Sequence, residues 1–165
     1  SVEFKDRRRR ERFQRNRPEA DPFPAYLCDT EESEPRMKLS GGCNCGQVRY
    51  ELDGEPIRVG ICHCLDCRKH HGALFHASAI CPQEAVAVSG ETQDYAGRNF
   101  CPRCGSSVFG RSGDEVEVNL GTLDEIDRFV PTYELWTVRR EGWLPAFPLA
   151  RHHRRDRPEA SRTEG

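Results

Sequence analysis

Three tight clusters of cysteine constrain this chain more than any other feature. The sequence has nine cysteines in 165 residues. Seven of them fall in Cys43-Asn44-Cys45, Cys62-His63-Cys64-Leu65-Asp66-Cys67 and Cys101-Pro102-Arg103-Cys104. Arg7-Arg8-Arg9-Arg10 resembles the basic start of an export signal, but no apolar stretch follows it. The expected location is therefore the reducing cytoplasm, where disulfides are rare. An odd number of closely spaced thiols then points to metal rather than to crosslinks. The apolar runs are only a few residues long, too short for a membrane-spanning helix.

Zinc prefers four ligands and accepts thiolates readily. A structural site is closed by four protein ligands, whereas a catalytic site commonly has three and one open position. The simplest partition of seven cysteines is therefore four plus three. Cys43, Cys45, Cys101 and Cys104 make the closed site and staple two distant segments. Cys62, Cys64 and Cys67 make the open one. Two other arrangements satisfy the same spacing. One is a single structural zinc with spare thiols. The other closes the second site with His63, His70 or His71. Gly46 and Gly105, each directly after a cysteine, allow the left-handed turn that aims backbone N–H groups at sulfur.

Charge divides the chain. Residues 1–17 carry a net of +5 and residues 18–35 a net of −6, with Pro18, Pro22, Pro24 and Pro35 in the second block. Opposed charge blocks with few apolar residues predict a disordered extension over 1–36. Met37, the single methionine, stands just before the first patterned segment and marks a candidate start. The patterned domain is expected over 37–150, and a disordered basic tail over 151–165. Residues 38–150 carry a net of −4, which counts against a nucleic-acid-binding face.

The domain reads as all-β. Gln47–Leu52 and Glu115–Leu120 alternate polar and apolar residues. Shorter candidate strands are Leu74–Ile80, Ala85–Val88, Ser107–Phe109 and Tyr133–Val138, separated by Gly-rich and Pro-rich turns. Leu123–Phe129 suggests a helical turn or two. Trp136 and Trp143 read as core anchors. Asp124, Glu125 and Asp127 read as a solvated acidic turn. A chain this polar, with a mean hydropathy of −0.78, benefits from a structural metal.

Three motifs in order carry a resemblance. Gly42-Cys43-Asn44-Cys45-Gly46-Gln47-Val48-Arg49-Tyr50, Cys62-His63-Cys64-Leu65-Asp66-Cys67-Arg68-Lys69 and Phe100-Cys101-Pro102-Arg103-Cys104-Gly105-Ser106 resemble the glutathione-dependent formaldehyde-activating enzyme family, also called the centromere-protein-V-like family. Asn119–Asp124, Leu135-Trp136 and Gly142–Pro145 fit its closing pattern. The resemblance implies a β-tent fold of short antiparallel strands with two zinc sites. It implies metal ligation by Cys43, Cys45, Cys101 and Cys104, and a catalytic site at Cys62, Cys64 and Cys67. It further implies a carbon–sulfur lyase-type enzyme that joins glutathione and formaldehyde as S-hydroxymethylglutathione.

In that chemistry a proton must reach the aldehyde oxygen, and His63, His70 and His71 are the candidate donors. Arg68, Lys69 and Arg98 are candidate partners for an acidic thiol. Two other readings compete. A non-catalytic zinc module would bind protein or nucleic acid. A thiol reductase would need a free cysteine, for which Cys81 is the candidate. Flanked by Ile80 and Pro82, Cys81 reads better as a small buried residue.

Overall fold

The alternation in Arg49–Asp53 sets the first sheet. Tyr50 and Leu52 are buried, while Glu51 between them is exposed. In the computed structural model, which describes residues 37–158, this strand is β2. It pairs antiparallel with β1 (Lys38–Gly42) on one side and with β5 (Val86–Ser89) on the other. The expected extension over 1–36, Cys28 within it, and residues 159–165 lie outside the described residues.

The remaining strands form one larger sheet. They are β3 (Arg58–Cys62), β4 (His76–Pro82), β6 (Gln93–Tyr95), β7 (Arg98–Phe100), β8 (Ser107–Ser112), β9 (Glu115–Asn119), β10 (Tyr133–Leu135) and β11 (Arg151–His152). Their order is β11-β10-β3-β4-β9-β8-β7-β6. Pairing is antiparallel except at β10, which runs parallel to both β3 and β11. Among the described residues the one α-helix, α1 (Leu65–His71), follows β3. The all-β class expected from the sequence is the class observed.

Leu39, Tyr50 and Leu52 of the small sheet join Val59, Ala79 and Val118 of the large one in a single apolar cluster. Because side chains alternate along a strand, the polar members of β4 and β9 fall on the opposite face of the large sheet. His76, Ser78, Glu117 and Asn119 are such residues, and hydrogen bonds link Ser78 to Glu117 and His76 to Asn119. His76, Glu117 and Asn119 line part of the candidate site.

Several local expectations change. Leu123–Phe129 forms no helix. Asp124 is held there by Arg49 and by the Ser40 hydroxyl, and Leu123 bridges to Gly41. The acidic turn is thus partly tethered to β1 and β2. The strand expected over Tyr133–Val138 ends at Leu135, because Trp136 adopts a left-handed conformation with φ 56°. Trp143 is 71% exposed and anchors no core. The segment after Ala150, expected as tail, instead adds β11 along β10. Backbone bonds from Trp136, Thr137 and His153 continue that contact. Its signal is absent from the sequence because a two-residue edge pairing has no hydrophobic period.

Gly60 shows how tightly β10 packs against β3. A Cβ at this position would collide with the ring of Tyr133, its register partner. Gly60→Ala is expected to destabilise the domain by about 1–3 kcal/mol, the ordinary cost of overpacking. Urea unfolding of the two proteins measures this as a shift in midpoint at constant slope.

Candidate metal centres and the cleft beside them

The four-sulfur cluster is built from two similar turns. Cys43–Gly46 leads from β1 toward β2, and Cys101–Gly105 links β7 to β8. In each, the glycine N–H returns to the carbonyl of the first cysteine, Gly46 to Cys43 at 3.0 Å and Gly105 to Cys101 at 2.9 Å. Both glycines have positive φ, 80° and 73°, which a side chain would strain although space is open around them. The turns bring the sulfurs of Cys43, Cys45, Cys101 and Cys104 within 4.8 Å of one another. Cys45 Sγ lies 3.5 Å from Cys43 Sγ and 3.7 Å from Cys101 Sγ. A tetrahedral zinc with bonds of about 2.3 Å separates its sulfurs by about 3.8 Å, so the set fits. The Val48 N–H donates to Cys43 Sγ at 3.2 Å. The hydroxyl and backbone of Ser106 bring the Cys104 thiol down to about 5.

The three-sulfur cluster hangs from the end of β3. Cys62 is its last residue, and Cys64 caps α1 by accepting from the Cys67 N–H at 3.4 Å. The sulfurs of Cys62, Cys64 and Cys67 lie within 4.8 Å of one another. The neighbouring Cys62 sulfur, and then burial, push the Cys67 thiol up to about 12. Confined thiols resist ionising together, and a bound cation removes that resistance. This donor set therefore also fits a soft divalent metal.

Among the described residues no histidine or carboxylate joins the second cluster. The three candidate fourth ligands are engaged elsewhere. His63 is fully buried and meets Glu134 Oε2 at 2.9 Å. His70 Nε2 meets the Ser107 hydroxyl at 2.9 Å. His71 stacks on His76, with ring centroids 3.9 Å apart. Among the described residues the cluster thus comprises three protein sulfurs.

His76, which the sequence did not single out, stands beside this cluster. It lies on β4 and is buried beside Cys67 in a small notch shared with His71, Glu117 and Asn119. Asn119 Nδ2 donates to Ser107 Oγ at 3.0 Å, and its Oδ1 accepts from His76 Nε2 at 2.8 Å. The neutral ring then carries its proton on Nε2 and presents the Nδ1 lone pair. Among the described residues Nδ1 has no close hydrogen-bond partner; Glu117 Oε1 stands 3.5 Å away, and the Cys67 thiol interacts with the ring. Burial alone would depress the His76 pKa, but Cys67 and Glu117 more than offset it and the net direction is upward. Its stacked neighbour His71 is pushed down to about 3, by burial and then by His76. One imidazole of the pair is therefore kept neutral.

Two larger clefts adjoin the notch. One of about 430 Å³ is lined by Arg58, Arg98, Arg111, Glu115, Glu117 and Arg157, among others. Another of about 550 Å³ is lined by Asp66, Lys69, His70, Tyr95, Ala96 and Arg98. Arg98 borders both clefts and the notch. The three cations singled out from the sequence differ in their surroundings. Arg68 donates to the Arg139 carbonyl at 2.6 Å and pairs with Glu141, so it ties α1 to the following chain. Lys69 and Arg98 line the clefts. Cys81 is fully buried in the apolar cluster, and burial pushes its thiol up to about 11. That environment suits a packing residue.

Comparison with known proteins agrees with these motifs. The glutathione-dependent formaldehyde-activating enzyme family matches residues 38–139, well over half of the chain. The chain belongs to this family. A curated relative from Talaromyces marneffei, named for glutathione-dependent formaldehyde activation, is 27% identical over 85 residues. That match covers 47% of this chain and 46% of the relative, so the chain spans about half the relative's length. The family match takes in all seven clustered cysteines and His76. It ends before Phe147 and β11. Among the described residues no helix is long and apolar enough to cross a membrane.

Proposed function

We propose that this protein adds a thiol, glutathione, to formaldehyde or a similarly small aldehyde, giving an S-hydroxymethyl adduct. The observation that carries the proposal is the three-sulfur set at Cys62, Cys64 and Cys67, of which Cys67 lines a small notch bordered by Arg98. Cys43, Cys45, Cys101 and Cys104 hold a second, structural zinc. Zinc held by Cys62, Cys64 and Cys67 would stabilise a thiolate or polarise a carbonyl oxygen.

The addition is balanced without an oxidant or reductant. An S–H bond and the carbonyl π bond break, while an S–C and an O–H bond form. His76 Nδ1 accepts the thiol proton and returns it to the new hydroxyl. Asn119 and Ser107 keep the ring in the required tautomer. The notch has room for about one water-sized group, so the body of the thiol lies in the larger clefts. Arg98 and Lys69 meet its carboxylates there. Arg58 is already paired with Glu115 and contributes less.

Exchange NMR with ¹³C-formaldehyde and glutathione tests the reading, because it measures the adduct forming at equilibrium. Acceleration over the protein-free rate is expected; equal rates with and without protein would overturn it. Arg98→Ala is expected to raise KM for glutathione about tenfold, the loss of one charge-assisted contact, with kcat nearly unchanged. The same variant should leave KM for 2-mercaptoethanol, which has no carboxylate, unaltered.

A further inference from the structure

We infer that Glu134 positions the three-cysteine loop by tying it to the C-terminal segment that carries Phe147 and β11. The inference rests on the metal-binding reading of that loop. Glu134 lies on β10 and is fully buried, an unusual place for a carboxylate. Every side-chain partner of its carboxylate among the described residues is a nitrogen donor. Oε2 accepts from His63 Nε2 at 2.9 Å. Oε1 accepts from Arg140 at 2.7 Å and from His152 Nδ1 at 2.7 Å. These donors come from the metal loop, from the turn after β10 and from β11. One carboxylate thus joins three otherwise separate parts of the chain.

The backbone repeats the same connection. Glu134 lies opposite Ile61 of β3 on one side and His152 of β11 on the other. The His63 N–H donates to the Leu135 carbonyl at 3.0 Å, and the His153 N–H to the Glu134 carbonyl at 2.8 Å. The His63 ring also packs against the touching pair Phe75 and Phe147, with centroids 5.9 and 6.3 Å away. Its Nε2 is committed to Glu134, and its Nδ1 is buried with no hydrogen-bond partner among the described residues. His63 therefore acts as a peg between Cys62 and Cys64, not as a ligand. What fixes the peg fixes the spacing of the two sulfurs. Phe147 and His152, two of its supports, lie outside the span matched to the family.

Outer partners of metal ligands commonly affect affinity by about tenfold to a hundredfold. The test follows zinc release to a chromogenic chelator from the zinc-loaded full-length protein. The phase belonging to the three-cysteine site is the one absent from a Cys62→Ser/Cys64→Ser/Cys67→Ser variant. Glu134→Gln is expected to speed that phase by about tenfold or more, while the four-cysteine phase stays within about twofold. His152→Ala, at a side chain 42% exposed, should shift the same phase severalfold in the same direction. If Glu134→Gln does not fold, His152→Ala decides by the same criterion. Unchanged release in both variants, or equal acceleration of both phases, would overturn the inference. A wild-type protein with no phase that depends on Cys62, Cys64 and Cys67 would overturn the metal reading as well.

Discussion

Replacing Cys62, Cys64 and Cys67 together by serine will reduce adduct formation to the uncatalysed rate and leave the fold standing. The expected loss is at least about a thousandfold, since the variant removes the group that stabilises the reacting charge. The fold survives because this cluster sits at the end of β3 and the start of α1. Its sulfurs are only partly buried, and none belongs to the apolar cluster between the sheets. Exchange NMR measures the rate, and circular dichroism measures the melting temperature. A variant that retained activity would remove the three cysteines from the mechanism. One that unfolded would assign them a structural role.

Cys101→Ala should do the opposite and cost the fold itself. Cys101 is fully buried within the apolar cluster, and its sulfur belongs to the set that joins β1–β2 to β7–β8. Structural zinc contributes about 10–16 kcal/mol to small zinc-dependent folds. That is as large as the whole stability of a typical domain, about 5–15 kcal/mol. The variant is therefore expected to be largely unfolded at 25 °C, and excess chelator should have the same effect on the wild type. Cys81→Ala is the matched comparison. Cys81 is equally buried, but its sulfur belongs to neither cluster. Losing it should cost only about 1–2 kcal/mol of packing. Far-UV circular dichroism of both variants checks the contrast; similar melting behaviour would contradict the structural role.

Much of the candidate site was legible because its signals are local. The three cysteine motifs are short, and Gly46 and Gly105 announce their turns. β2 and β9 were legible because one face of each is apolar and the period is two. What escaped notice depends on contacts distant in sequence. His76 is one polar residue in a strand, and nothing in its neighbours indicates that Asn119, forty-three positions later, holds it. Glu134 reads as an ordinary surface acid until His63, Arg140 and His152 converge on it. β11 escaped because its pairing is parallel, two residues long and apolar on neither face. Leu123–Phe129 misled because its spacing is helical, whereas Asp124 is drawn to Arg49 and Ser40 instead.

The central claim is that the two cysteine clusters hold zinc separately and that only one of them is dispensable to the fold. Elemental analysis of the full-length protein, purified under reducing conditions beside its Cys62→Ser/Cys64→Ser/Cys67→Ser variant, tests it directly. Two zinc ions per chain in the wild type and one in a folded variant are predicted. One zinc ion in both proteins would contradict the claim, deprive the proposed reaction of its metal, and favour a zinc-stabilised binding module.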